Sequence, residues 1–378
     1  MKKTTSYMCI GSLAVLILMS LMTGYTMSIT TWLPSVTSNY QESVQTSNDL
    51  LPGPPVTTET PRLKGYIVYD CGDQNPGPCG SWSERMSGMF SAYVISVLLN
   101  KHFLIRYTRS CNLTDFLIPN STDWRYNSSI LAGRSWDYQN LVSKTPSAIK
   151  KNNLKSLHNL FTNDVNFVRM NWDYTNYFRY FENLPRVIPW VLELHFADIY
   201  LQFFNTLFKP TKVITEAVDK IVQNVTKLAC AHISMEGSNT KIGGEKHRDK
   251  KQLKHVWNLL KTMTKNNYSI FVATDAQSVQ NTAKELFKNL LETKGRIVNT
   301  DRHASGDGSV SAFRKTVLDF FVLTKCDVLI LTNSGFGMMS AFLNNKNSTL
   351  YCLTPHEVLP CSRYTIHSFY PDEILSPV

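Results

Sequence analysis

Short apolar runs alternate with amphipathic stretches throughout the second half of the chain. Unbroken apolar runs of strand length predict buried parallel strands at residues 228–233, 269–273, 296–298, 328–332 and 349–353. Apolar residues at helical spacing predict helices over residues 252–264, 279–293 and 310–324, and a shorter helix from residue 337 onward. This regular alternation predicts a doubly wound parallel α/β sheet.

The first half opens with one unit of the same kind. A strand at residues 65–70 is followed by a helix over residues 83–100, which Ser81 or Ser83 can cap, and by a strand at residues 103–105. Such a βαβ unit is expected to be parallel and right-handed. Residues 110–215 are rich in aromatic residues, and we interpret them as helices and long connections that complete a first domain.

The N-terminus carries a targeting pattern. Lys2 and Lys3 precede residues 7–29, which hold no charged residue and are long enough to span a bilayer. The positive flank predicts a cytosolic tail at residues 1–6 and a type II signal-anchor, with the rest of the chain in the lumen. A cleaved signal peptide is the alternative.

The next segment, residues 30–63, is rich in Ser, Thr and Pro. We interpret it as an extended stem, because such a composition cannot bury a core. A membrane anchor, a stem and a lumenal body are typical of Golgi enzymes. We divide the body into an N-terminal domain at residues 64–215 and a C-terminal domain at residues 216–378. This order predicts a single-pass Golgi membrane protein.

Glycosylation signals and cysteines agree with a lumenal body. Six sequons predict N-glycosylation at Asn112, Asn120, Asn127, Asn224, Asn267 and Asn347. Seven of the eight cysteines lie beyond the anchor, and the close pairs Cys71/Cys79 and Cys352/Cys361 are plausible disulfides that leave an odd thiol. No CxxC pair or His/Cys cluster suggests a structural metal.

Composition and charge narrow the class of ligand. The chain of 378 residues is 43% hydrophobic, 18% charged and carries a net charge of +10, and it is long enough for two domains. The basic residues are scattered apart from one run at residues 241–254, without clustered arginines or interleaved aromatic residues. Nucleic acid is therefore not expected as a partner, whereas an anionic small ligand or an anionic membrane surface suits the charge.

Polar residues and glycines follow the predicted strands of the second half. In an open parallel sheet these carboxyl ends share one rim, where ligands bind. Each residue alone can be a helix cap or a turn, but four polar strand ends together favour a site. The residues concerned are His232, Ser234, Thr274, Asp275, Arg302, Ser334, Gly335, Phe336 and Gly337.

Nucleotide binding is the chemistry that such a rim could serve. Asp275 could accept hydrogen bonds from a ribose or a base edge, and the turn from Ser334 to Gly337 could hold a pyrophosphate at a helix start. Arg302, or the basic residues of the run at residues 241–254, could neutralise a leaving diphosphate. The sequence lacks a D-x-D motif, the usual signal for a sugar nucleotide held by a metal ion. It also lacks GxGxxG after the first strand and a Walker A sequence, which disfavours NAD binding and ATP hydrolysis.

Four segments in this order resemble the GDP-fucose-dependent fucosyltransferase superfamily. They are CGSWSERMSGMFSAYVISVLL at residues 79–99, CAHISMEG at 230–237, FVATDA at 271–276 and DFFVLTKCDVLILTNSGFGMMSAFL at 319–343. The resemblance implies two Rossmann-like domains that face each other, a GT-B-type arrangement. It also implies Gly80, Arg85 and Gly88 at the cleft, with Arg85 and His232 as catalytic residues and no metal or other cofactor.

One position departs from the family pattern. The second segment of the family carries an arginine that contacts the diphosphate, and Ser234 stands there in this chain. The resemblance implies inverting transfer of a sugar from a nucleotide sugar, GDP-fucose, to a glycan or glycoprotein hydroxyl, with the general base unassigned. The alternatives are an inactive lumenal nucleotide- or glycan-binding protein on the same fold, and a secreted or surface glycoprotein without a nucleotide site.

Overall fold

The computed structural model describes residues 63–370, except 75–76, 78, 110, 143–148, 150–152, 182, 236–251, 298–307 and 345–347. The predicted tail, signal-anchor and nearly all of the stem lie outside the described residues, as do Arg302 and Asn347. Within the described part, no helix combines the length and the apolar character that a membrane span requires.

The first half builds a parallel sheet. Its strands are β1 (Tyr66–Cys71), β2 (His102–Tyr107), β4 (Trp136–Asn140) and β5 (Val165–Arg169), in the order β2-β1-β5-β4. A separate antiparallel pair joins β3 (Leu117–Pro119) to β6 (Phe208–Pro210). The helices of this half are α1 (Trp82–Leu98), α2 (Leu154–Leu160), α3 (Thr175–Phe178), α4 (Leu184–Val187), α5 (Phe196–Leu207) and α6 (Lys212–Val222).

The second half builds a six-stranded sheet. Its strands are β7 (Leu228–Ile233), β8 (Ser269–Thr274), β9 (Leu290–Leu291), β10 (Val328–Leu331), β11 (Thr349–Leu353) and β12 (Val358–Cys361), in the order β12-β11-β10-β7-β8-β9. The pairs are parallel except for β11 with β12. The helices are α7 (Leu253–Lys265), α8 (Gln277–Leu286), α9 (Gly308–Leu323), α10 (Gly335–Leu343) and α11 (Ile366–Phe369).

The β–α alternation of the second half is confirmed, with two errors. The helix predicted over residues 279–293 ends at Leu286, because Phe287 leaves the helical conformation and its ring packs near Trp257, with 6.3 Å between ring centroids. The following residues pair with β8 as the short strand β9. The strand predicted at residues 296–298 is wrong, since residues 296 and 297 belong to no strand and residue 298 is not described. Residues 110–215, predicted as helices and long connections, also contain the strands β3 to β6, so that prediction was incomplete.

The start of α1 follows from its sequence. The hydroxyl of Ser81 accepts a bond from the N–H of Glu84, and the carboxylate of Glu84 accepts one from the N–H of Ser81, which is a complete capping box. The preceding Gly80 has a φ of +87°, and a Cβ there would meet the Glu84 side chain at 2.8 Å. A glycine is therefore needed where the chain turns into this helix.

Disulfide bonds occur within each half of the protein. The predicted bonds Cys71–Cys79 and Cys352–Cys361 are confirmed. A third bond joins Cys230 in β7 to Cys326, just before β10, across 96 positions of the chain. Cys111 is the buried free thiol among the described cysteines, so the odd thiol that the cysteine count indicated is a core residue.

Candidate functional site

The strand order of the second sheet places a crevice between β7 and β10. The chain runs outward from β7 through β8 to β9, and then returns to place β10 on the other side of β7. Connections leave in opposite directions from such a topological switch point, which opens a crevice at the carboxyl ends of the two strands. The residues that follow β7 and β10 are those that the sequence marked as a site.

Ser234 ties three strand ends together at this crevice. Its N–H donates to the hydroxyl of Thr332, after β10, at 3.1 Å. Its own hydroxyl donates to Oδ2 of Asp275, after β8, at 2.8 Å. The serine at the position of the family arginine is thus part of a hydrogen-bonded junction between β10, β7 and β8.

Asp275 bonds to the two residues that follow β7. Besides accepting the Ser234 hydroxyl, its other oxygen accepts the N–H of Met235 at 2.8 Å. The neighbouring Thr274 supports the entry to α8, because its hydroxyl accepts the N–H of Ala276 at 3.2 Å. Both residues lie on the predicted rim, and the bonds shown here are to the chain itself. Contact of Asp275 with a ribose or a base stays a prediction.

His232 lies against the first turn of α10. Its ring is tilted by 31° to that of Phe336, with 5.0 Å between their centroids. A Cβ on Gly337 would come within 2.7 Å of the Nδ1 atom of His232, so the absence of a side chain at Gly337 lets the imidazole pack there. The sequence marked all three residues as site residues, and the structure brings them into contact.

The N-terminus of α10 lies at the same crevice, beside His232. Ser334 is the N-cap residue, in an extended conformation, and its side chain makes no capping bond to the helix. Gly335 is the first residue of this nine-residue helix. The first N–H groups of a helix have no partner within it and carry a partial positive charge, which favours an anion such as a phosphate.

Arg85 lies in the first turn of α1 and is only 2% exposed. Its Nε donates to the carbonyl oxygen of Gly80 at 2.7 Å, and a terminal nitrogen donates to the Tyr107 hydroxyl at 2.5 Å. Burial raises the pKa of the Tyr107 phenol well above its usual range, with the guanidinium acting in the opposite direction, so this hydroxyl stays neutral. The side chain of Arg85 is therefore held in one orientation.

Gly88, one turn further along α1, is a packing residue. A Cβ at this position would lie 1.9 Å from the carbonyl oxygen of Met170, just after β5. The helix can approach the sheet this closely only with glycine at this point. The resemblance places Gly80 and Gly88 at the cleft, and this place at a ligand stays a prediction.

Aromatic residues of α9 connect the two groups of site residues. The guanidinium of Arg85 lies 5.6 Å from the ring centroid of Phe313, and Trp82 contacts both Phe313 and Phe320 edge-on. Phe320 in turn contacts Phe336 at 5.5 Å. Sequence reasoning assigned these rings only to a helical core stripe, because nothing in their spacing shows that they join Arg85 to the rim.

Thr332 is the site residue that sequence reasoning missed. The sequence pattern shows it only as the end of an apolar strand, and the structure shows that it is the last residue before the turn and is fully buried. A hydroxyl in that place was the available signal. Among the described residues, no cluster of three or more His, Cys, Asp or Glu side chains could hold a metal ion.

Comparisons with known proteins give structural similarity only. No protein-family model and no curated protein matches the sequence. A variant of FUT1 from Arabidopsis thaliana in complex with GDP is 12% identical, with a TM-score of 0.49, over 81% of this chain and 72% of that one. The fucosyltransferase NodZ from Bradyrhizobium is 10% identical, with a TM-score of 0.47, over 79% and 99%.

A third similar structure is POFUT1 in complex with GDP, which is 10% identical, with a TM-score of 0.42, over 76% of this chain and 99% of that one. Such identities leave the roles of individual residues to be argued from this chain's own geometry.

Proposed function

We propose that the chain is a fucosyltransferase-like glycosyltransferase, which transfers fucose from GDP-fucose to a hydroxyl of a glycan or glycoprotein. One observation carries this proposal. The topological switch point of the second sheet gathers Ser234, Asp275 and Phe336, which come from three of the four segments that resemble the family. Segments that lie far apart in the sequence therefore meet at the place where an α/β sheet binds its ligand.

The fourth segment contributes Arg85, whose guanidinium lies near Phe313. From there a series of ring contacts runs through Trp82 and Phe320 to Phe336 at the rim. In the proposed reaction, the oxygen of the acceptor hydroxyl bonds to the anomeric carbon of fucose from the face opposite the leaving group. The bond from that carbon to the diphosphate breaks, GDP leaves with the electron pair, and the hydroxyl proton passes to a base or to solvent. The chain's own task is to position the reactants and to stabilise the charge on the diphosphate.

The positive end of α10 is the feature best suited to that charge, because its N-terminal N–H groups are not capped by Ser334. We propose that the transfer needs no metal ion and that His232 orients the first turn of α10 through its contact with Phe336. We also propose a single-pass type II protein of the Golgi membrane, with the body in the lumen. The N-terminal sequence, the stem and the sequons support this location.

A second function is favoured by the bonds of Ser234. At this position the family pattern has a guanidinium, whereas here a hydroxyl donates to Asp275. A charged donor stabilises a leaving diphosphate by several kcal/mol more than a neutral group that is already engaged. A protein that binds the nucleotide or a glycan without transferring the sugar is therefore the alternative.

Nucleotide binding is tested first. The full chain, purified in detergent, is heated with GDP, GDP-fucose or UDP-galactose, and GDP leads the series because it is the nucleotide in several similar structures. At about 100 times the dissociation constant, a bound nucleotide adds about 2.7 kcal/mol to the free energy of unfolding. A shift of the melting temperature with GDP supports the site. No shift with any nucleotide contradicts both sugar transfer and nucleotide binding, and leaves glycan binding as the remaining alternative.

Ser234→Arg separates transfer from binding alone. If the wild type binds GDP but transfers no fucose to a panel of glycans, we expect the arginine, placed beside the Asp275 carboxylate, to introduce measurable transfer. Ser234→Ala is the matched control, because it removes the hydroxyl without adding charge. Transfer by the wild type establishes the enzyme; binding without transfer in both the wild type and Ser234→Arg leaves the binding protein.

A further inference from the structure

A cavity of about 420 Å³ lies beside α10, outside the rim described above. Its walls come from α3 and the residue that follows it, from the start of α5, and from one side of α10. The residues that matter here are Asn176, Arg179, His195, Phe196, Met338 and Phe342. Its volume falls within the range of protein sites for small molecules.

The cavity touches both halves of the protein. Phe196 at the start of α5 meets Phe342 of α10 edge-on, with 5.9 Å between ring centroids. Met338, which also lines the cavity, directly follows Gly337, the residue packed against His232. With 3.6 residues per turn, Met338 belongs to the first turn of α10, which is the proposed phosphate-binding turn, and Phe342 lies one turn further along.

The polar groups of the cavity are held by the backbone. A terminal nitrogen of Arg179 donates to the carbonyl oxygens of Leu192 and Leu194, at 3.3 and 3.1 Å. Nδ1 of His195 accepts the N–H of Ala197 at 3.3 Å, so the neutral imidazole carries its proton on Nε2, where it can serve as a donor.

The charged side chains that line the cavity are of both signs. Burial, followed by the nearby His367, lowers the pKa of His195, with Asp198 acting in the opposite direction and Arg179 and Arg363 in the same one. The guanidinium of Arg179 is offset by the carboxylate of Glu193, which also lines the cavity. A strongly charged ligand is therefore not the best match.

The remaining surface of the cavity is aromatic and apolar. Phe196, Phe342 and Met338 form it, and at the same site Tyr364 contacts His195 with 4.7 Å between ring centroids. Tyr364 is 46% exposed. An exposed aromatic residue beside a cavity favours a binding surface.

We propose that this cavity binds a sugar ring of an oligosaccharide acceptor. The inference rests on the proposed transferase function and assigns its acceptor to the glycans. A sugar ring presents hydroxyl groups that both donate and accept, together with an apolar C–H face. Arg179, His195 and Glu193 supply a matching mixture of donors and acceptors, and the rings of Phe196 and Phe342 supply the apolar wall.

Asn176→Trp tests the cavity. Asn176 is exposed, and a large ring there fills the cavity without removing a structural bond that the described residues show. Asn258→Trp, on the exposed face of α7, is the matched control. Arg179→Ala is the second cavity variant. Each full-length protein receives two measurements: the melting-temperature shift with GDP, and saturation-transfer NMR with a panel of probes in the presence of GDP.

The probes are galactose, N-acetylglucosamine, mannose, N-acetyllactosamine and a short Ser/Thr-containing peptide. We expect at least one sugar to give a signal with the wild type and with Asn258→Trp, and this signal to fall at least five-fold with Asn176→Trp and Arg179→Ala. The GDP shift should be unchanged in all four proteins.

The cavity proposal is overturned if no sugar gives a signal, if Asn176→Trp leaves the sugar signal intact, or if the peptide alone binds. These results with an intact GDP shift leave the transferase proposal standing. The reverse result, sugar binding that depends on the cavity without any GDP shift, removes the transferase proposal and keeps a sugar-binding cavity.

Discussion

The hydrogen bonds shown for the side chains at the rim connect parts of the chain to each other. Both carboxylate oxygens of Asp275 accept bonds from the two residues that follow β7. One of them, Ser234, also donates to Thr332 at the end of the neighbouring strand β10. Such a junction keeps the crevice in one shape before any ligand arrives, which lowers the entropy lost on binding. In the proposed reaction, a positive charge near Ser234 would be needed to stabilise the leaving diphosphate.

A buried carboxylic acid behind α1 makes a testable contribution to stability. Asp173 is fully buried, and its Oδ1 accepts bonds from the N–H and the hydroxyl of Thr175, at 2.7 and 2.5 Å. Burial raises the pKa of Asp173 from 3.8 to about 6, with the bonds from Thr175 acting in the opposite direction. The fold therefore favours the protonated acid.

Asp173→Asn should become increasingly more stable than the wild type as the pH rises. The folded-state pKa is above the unfolded value, so the stability contributed by the protonated acid is lost between about pH 4 and pH 6, and the asparagine keeps it. A shift of about two units corresponds to about 3 kcal/mol. Thermal unfolding at pH 4.5 and pH 7.5 measures the change in the difference between the two proteins.

Asp164→Asn is the control of opposite sign. Hydrogen bonds from Ser135 lower the pKa of this exposed carboxylate, so its ionised form stabilises the fold at pH values above the unfolded pKa. Asp164→Asn should therefore lose stability relative to the wild type as the pH rises. The prediction for Asp173 fails if the stability difference between Asp173→Asn and the wild type is the same at both pH values.

At the level of elements, the disulfide Cys230–Cys326 fixes β7 to the entry of β10. The two strands are neighbours, with Leu329 opposite Cys230, and they form the crevice of the proposed site. Chain entropy makes a long disulfide loop more stabilising than a short one.

We expect the double substitution Cys230→Ser/Cys326→Ser to cost about 5 kcal/mol and Cys352→Ser/Cys361→Ser to cost about 3 kcal/mol. The reason is the difference in loop length, since the bonds span 96 and 9 positions. Denaturant unfolding of the two variants and the wild type provides the measurement, with peptide mapping under non-reducing conditions to confirm each bond. Equal losses would contradict this account.

For the whole molecule, the N-terminal pattern and the sequons predict a protein of the secretory pathway. The five sequon asparagines in the described part of the chain, which are Asn112, Asn120, Asn127, Asn224 and Asn267, are all exposed. Translation of the full chain with microsomes should yield a product that endoglycosidase shifts and that external protease leaves largely intact.

A variant with glutamine at all five asparagines is the control and should lose most of the endoglycosidase shift. A product without glycan that external protease digests completely would exclude the lumenal location. Retention of the membrane association after alkaline extraction distinguishes a signal-anchor from a cleaved signal peptide.

Much of the fold can be predicted from the sequence, because the patterns that specify its strands and helices are local. The apolar runs of β7, β8, β10 and β11 and the stripes of α1, α7 and α9 depend on period and length, which the sequence shows directly. The helix predicted to continue to residue 293 ends at Leu286, where Phe287 is extended with its ring near Trp257, and Leu290 and Leu291 pair with β8, so tertiary contacts replace the local helical pattern there.

The sequence by itself determined the α/β class, the capping box at α1, two short-range disulfides and the polar strand ends of the second half, because each depends on residues close together in the chain. Only the tertiary structure decided the bond between Cys230 and Cys326, the junction of Ser234, Thr332 and Asp275, and the cavity beside α10. These unite residues separated by dozens of positions, and strand order, which no local pattern specifies, determines which of them meet.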